Sequence, residues 1–136
     1  MKIFICCSRS FYPKVDGIKK ALEESGHQIT LPNSFEEPGR EDKLKAGDPR
    51  RHAKWKAEML REQERKIKAN DAILVINIDK REQRNYVGGA TFLEMFKAFE
   101  LGKKIFLWND IPEGMLRDEI LGFEPIVIKQ DLSLVS

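Results

Sequence analysis

Apolar and polar positions along this chain fall into blocks, and the period changes from block to block. Residues 2–7, KIFICC, are a short, nearly continuous apolar run of strand formers. From Pro13 to Ser25 the spacing becomes helical. Val15, Ile18, Ala21 and Leu22 recur on one face, lysine and glutamate fill the other, and Gly26 stops the pattern. His27 to Leu31 is strand-like again. Strand, helix and strand within about thirty residues open a parallel sheet.

Residues 32–49, PNSFEEPGREDKLKAGDP, interrupt this rhythm with three prolines and two glycines. A loop of that length is either disordered or functional, such as a lid. Asp48 before Pro49 suits an N-cap followed by the first helical position, and a helix is expected as far as Ala69. That helix is basic and its apolar positions are sparse, so it is mostly solvated or covers a polar cleft or a partner. Asp71 to Asp79, DAILVINID, reads as a buried strand ending in Asp79. After the charged run KREQRNY and the pair Gly88-Gly89, a helix is expected to Leu101. It is apolar nearly all round, broken only by Glu94, Lys97 and Glu100. Such a helix buries more than one face. One side meets the sheet and the other a second helix or a second copy, so a homo-oligomer is expected.

Lys104 to Trp108 is a fourth strand, Glu113 to Leu121 a short helix, and Pro125 to Ile128 a fifth strand followed by a polar tail. Right-handed crossovers then predict an α/β fold. It is a Rossmann-like three-layer sandwich with a five-stranded, mostly parallel sheet in the order 2-1-3-4-5, one domain over residues 1–136.

Charge changes this picture little. Charged residues make up 34% of the chain, but the signs are mixed and the net charge is +2. A dedicated nucleic-acid protein shows a stronger basic excess. The helix 50–69 spreads its cations around its circumference without an aromatic platform, so a nucleic-acid surface there is the weakest reading. No apolar run approaches the ~20 residues of a membrane span, and MKIFICC lacks a signal-peptide layout. A cytoplasmic protein is expected. Cys6 and Cys7, adjacent in a strand, point to opposite faces and are poorly placed to pair or to chelate one metal. With only His27 and His52 besides, neither a metal nor another cofactor is expected.

In open α/β sheets ligands lie beyond the carboxyl ends of the strands, where helix N-termini also point. Ser8, Arg9 and Ser10 follow the first strand there, and a hydroxyl with a guanidinium suits a phosphate. Asp79 either orients a ligand, donates a proton or closes a turn. Gly88 and Gly89 allow close approach to a ligand, or only a tight turn. Tyr86 either hydrogen-bonds a carboxylate or packs the loop. Glu94, expected in the first helical turn and ionised by the helix dipole, is a candidate nucleophile towards a sugar C1. It competes with two bland roles: the far end of a capping box with Thr91, or a surface ion pair with Lys97. No GxGxxG or Walker lysine motif is present, so a conventional dinucleotide or triphosphate site is unexpected.

The run from Asp71 to Lys104 resembles the nucleoside 2-deoxyribosyltransferase superfamily, which includes 2′-deoxynucleoside 5′-phosphate N-hydrolases. The features that carry the resemblance are a strand ending at Asp79, the turn Ala90-Thr91-Phe92-Leu93-Glu94, and Gly102-Lys103 eight residues after Glu94. IFICCSRSF is similar to the family's first strand, with Ser8-Arg9 echoing a phosphate-binding turn. The resemblance implies that Glu94 attacks the anomeric carbon and displaces a nucleobase. It also implies that Asp79 contacts or protonates the base, and that water or a second base accepts the sugar. Phe4 stands where the family commonly has a tyrosine beside the nucleophile, Ala90 where it has glycine, and Gly88 where it often has Asp or Ser. Tyr86 is the candidate replacement for the tyrosine. A non-catalytic nucleotide sensor of the same fold is the alternative.

Overall fold

The computed structural model describes residues 1–136, and they build the five-stranded sheet in the order β2-β1-β3-β4-β5, every pair parallel. The strands are β1 (Lys2–Cys6), β2 (Gln28–Thr30), β3 (Ala72–Val75), β4 (Lys104–Leu107) and β5 (Ile126–Val127). The helices are α1 (Tyr12–Glu24), α2 (Arg40–Ala46), α3 (Pro49–Lys68), α4 (Gly89–Glu100) and α5 (Arg117–Gly122). A single 3-10 turn, Arg9–Phe11, precedes α1.

Alternation along the central strands divides the core in two. Ile3, Ile5, Ala72 and Leu74 face α1, packing on Val15, Ile18 and Leu22. Phe4, Ile73, Val75 and Ile105 face the opposite layer, with Ile67 of α3, Met95 and Ala98 of α4 and Ile120 of α5. The sheet is therefore covered on both faces, and that is why its central strands carry almost no polar residue. Cys6 and Cys7 diverge to these two sides, and both are free thiols.

Four expectations are corrected. The segment 32–49 is not wholly loop: α2 forms inside it, with Glu41 and Asp42 in its first turn and Lys43 and Lys45 in its last, the charge order a helix dipole favours. The third strand ends at Val75, not Asp79. Beyond it, fully buried Asn77 gives its side-chain amide to the carbonyls of Asn109 and Asp110, at 3.4 and 3.0 Å. The chain turns away from the ladder there. The fifth helix begins at Arg117, not Glu113. Lastly, the tail is not simply polar, because Val135 returns into the α1-side core.

Candidate active site

The carboxyl end of β1 and the start of α4 frame one wall of a cavity of about 570 Å³. That size lies within the roughly 300–1,000 Å³ of small-molecule sites. α3 supplies the opposite wall, and the segment from Pro32 through α2 crosses over it as a strap. Asp48 caps α3 as its spacing predicts, accepting the Arg50 N–H at 2.9 Å. This fixes where the helix begins and so sends Trp55, Lys56, Met59 and Gln63 into the cavity.

Glu94 lies in the cavity wall and is 6% exposed. Neither bland role is filled. The N-cap of α4 is Gly88, with no side-chain cap, so Thr91 is inside the helix and no capping box forms. Lys97 pairs instead with Glu100, at 2.8 Å. The expected dipole stabilisation is also corrected: α4 starts at Gly89, which leaves Glu94 in the second turn. Loss of hydration dominates and raises its pKa to about 8. The Cys6 thiol, then the Lys66 and Lys56 cations, pull in the opposite direction.

Seven of the nine residues singled out from the sequence line this cavity: Glu94, Tyr86, Ser8, Arg9, Gly88, Gly89 and Thr91. Asp79 does not. It is exposed and accepts the Asn85 N–H at 3.0 Å, closing the turn between β3 and α4. The early end of β3 is what carries it away from the site. Ser10 is likewise outside, exposed within the 3-10 turn. Tyr86 stands over the start of α4; a Cβ on Gly88 would lie 3.1 Å from its hydroxyl. Here the glycine serves close packing, since its φ of −81° suits any residue.

Several cavity residues carried no sequence signal. Lys80 donates to the Ser8 hydroxyl at 3.2 Å and lies 4.9 Å from the Tyr86 ring centre. Gln63 of α3 is buried and donates to the Ala90 carbonyl at 3.4 Å, tying α3 to the start of α4. Tyr12 donates to the Asn33 carbonyl at 2.7 Å. Burial, then the neighbouring Cys7 and Glu94, raise the Tyr12 pKa. Asn33 Oδ1 is the one buried side-chain polar atom without a partner. These four residues are brought in by the strap, by α3 and by turn geometry, none of which leaves a local signal. A second cavity, on the far side of the strap, shares Pro32, Ser34, Trp55 and Met59 and takes Thr30 and Leu31 from the carboxyl end of β2, but receives nothing from the ends of β1, β3 or β4.

No protein-family model matches the chain, and no curated protein matches it significantly. No helix is long and apolar enough to cross a membrane.

Proposed function

We propose that this protein cleaves or transfers the N-glycosidic bond of a nucleoside or nucleoside 5′-monophosphate, with Glu94 as nucleophile. One observation carries the reading: Glu94 is a buried carboxyl in a cavity wall with neither a capping nor an ion-pairing role. In the reaction a Glu94 oxygen bonds to the anomeric carbon as the bond from that carbon to the base nitrogen breaks. The base leaves with the electron pair and takes up a proton. Water, or the nitrogen of a second base, then attacks the same carbon and releases the carboxylate. The Tyr86 hydroxyl, over the start of α4, is the candidate hydrogen-bond donor on this path. Asp79 is not assigned a role, since it does not line the cavity and its carboxylate accepts the Asn85 N–H.

The test is a panel of nucleosides and 5′-monophosphates, with and without an acceptor base, scored for free base and exchanged product. Wild-type protein should release or exchange base. Glu94→Ala should lose at least about a thousandfold in rate, the scale expected when a nucleophile is removed, while retaining ligand binding. Silence of the wild type across the panel sinks the glycosidase reading.

The raised pKa of Glu94 favours one alternative, a module that binds a nucleotide without cleaving it, because a protonated carboxyl is no nucleophile. That module would bind the panel's ligands and release no base at any pH. For assembly, the exposed Leu93, Phe96 and Phe99 of α4 support pairing of two copies through this helix.

A further inference from the structure

Ion pairing sorts the cations that the sequence spreads around α3. In the second half of the helix Arg65 pairs with Glu62 and Lys68 with Glu64. Every carboxylate from residue 37 to residue 48 is engaged as well. Glu37 pairs with Arg40, Glu41 with His52 and Lys56, and Asp42 with Arg9, while Asp48 caps α3. The cations left over collect where α2 hands the chain to α3. Lys43 and Lys45 close α2, and Arg50, Arg51 and Lys54 open α3. All of them are exposed, and none has a carboxylate within ion-pair distance. Arg61 is equally free. Its spacing of seven from Lys54, which itself follows Arg50 by four, puts these three on one side of the helix. They form a track of about 16 Å at 1.5 Å per residue. Against a net charge of +2 for the whole chain, the basic excess is therefore local.

We propose that this corner between α2 and α3, with Arg61, is a docking surface for the phosphate backbone of nucleic acid. The proposal does not depend on the role of Glu94. Charge complementarity names a polyanion, and the lack of apolar surface separates nucleic acid from an acidic protein. Protein interfaces are anchored by apolar and aromatic side chains. None of the exposed large hydrophobic residues lies between residues 33 and 59. Nucleic-acid interfaces are instead polar and strongly basic. The cations of α3 stand along a line and do not converge on a point, which suits successive phosphates better than one. His52 and Trp55, the aromatic pair of this end of α3, are half-buried with ring centres 6.2 Å apart, so no exposed ring is offered to a base. Contacts to the backbone alone carry no sequence information, and binding here is electrostatic and indifferent to sequence. Lys45 also lines the candidate active-site cavity, so the surface begins at the rim of that cavity.

Fluorescence anisotropy of labelled single-stranded RNA and DNA homopolymers, titrated with the full chain between about 50 and 200 mM salt, tests this. Both nucleic acids should bind, with little preference for the base. The slope of log affinity on log salt should be about −4, the value for about six neutralised phosphates. Arg50→Gln, Arg51→Gln and Lys54→Gln together should bring the slope to about −2 and weaken binding by at least about tenfold at the lower salt. All three side chains are exposed and unpaired, so their loss costs the fold little. Arg65→Gln with Lys68→Gln, whose charges already have partners, should change the slope far less. Absence of binding at about 50 mM salt, or a slope that the triple variant leaves unchanged, overturns the proposal. So does equal loss from the Arg65 and Lys68 pair, which would show only the overall charge at work. Polyglutamate that competes as well as RNA would make the partner an acidic protein and overturns the assignment to nucleic acid.

Discussion

At Glu94 the carboxyl loses the hydration that would favour its charged form, and it titrates at about 8 instead of 4.5. Between those two values the unfolded chain is ionised at this position while the folded chain still binds a proton. Stability therefore falls as pH rises through this window. Glu94→Gln keeps the shape and removes the titration. Compared with wild type, it should gain stability in urea unfolding between pH 5 and pH 9. The gain is on the order of a few kcal/mol, at about 1.4 kcal/mol per pKa unit. A stability difference flat with pH would show that the carboxyl ionises freely. The same titration sets the chemistry. A nucleophile must be ionised, so kcat/KM for base release should rise with pH and level off above about 8. A rate that falls over that range would make Glu94 an acid instead. The sequence made Glu94 visible through its spacing from the glycine pair and from Gly102-Lys103. It could not show the sign of the pKa shift. That depends on which side of α4 meets the sheet, and on the start of the helix at Gly89.

α2 shows how an element can be invisible in a sequence and still shape a site. It buries no residue, so it leaves no apolar period to read. Polar contacts hold it: Glu41 accepts from His52 and Lys56, at 3.0 and 3.2 Å. These contacts, together with the Lys45 cation, keep the Glu41 pKa below the usual carboxylate range against the cost of its partial burial. Glu41→Gln should loosen the strap without unfolding the sheet. The expected result is faster limited proteolysis and hydrogen exchange confined to residues 33–47, with the protection of β1, β3 and β4 unchanged. Uniform loss of protection across the chain would mean that α2 is integral to the core. α3 is the opposite case. Its Asp48-Pro49 start and its length were legible because capping is a local, stereochemical signal. β3 was overextended because Ile76 and Ile78 continue its apolar pattern, while the long-range bonds of Asn77 end it.

For the whole molecule, strand order was legible because right-handed crossovers leave few alternatives once the elements are named. The two-sided burial of the sheet followed from the unbroken apolar strands. What covers the outside of α4 was not legible, because apolar residues there look the same whether they meet the sheet or nothing. The structure divides them. Met95 and Ala98 are fully buried, whereas Leu93, Phe96 and Phe99 are 46%, 45% and 48% exposed. Phe123 packs against Phe96 and Phe99, with ring centres 6.3 and 5.6 Å apart, extending the aromatic surface. Sedimentation at micromolar concentration should find a dimer, and Phe96→Glu with Phe99→Glu should leave a folded monomer. A wild type that sediments as a monomer removes this expectation. Leu93 belongs both to the outer face and to the cavity lining, one residue before Glu94. Mass action would then reach the chemistry: on serial dilution, activity per molecule should decline once copies separate, and excess protein should restore it.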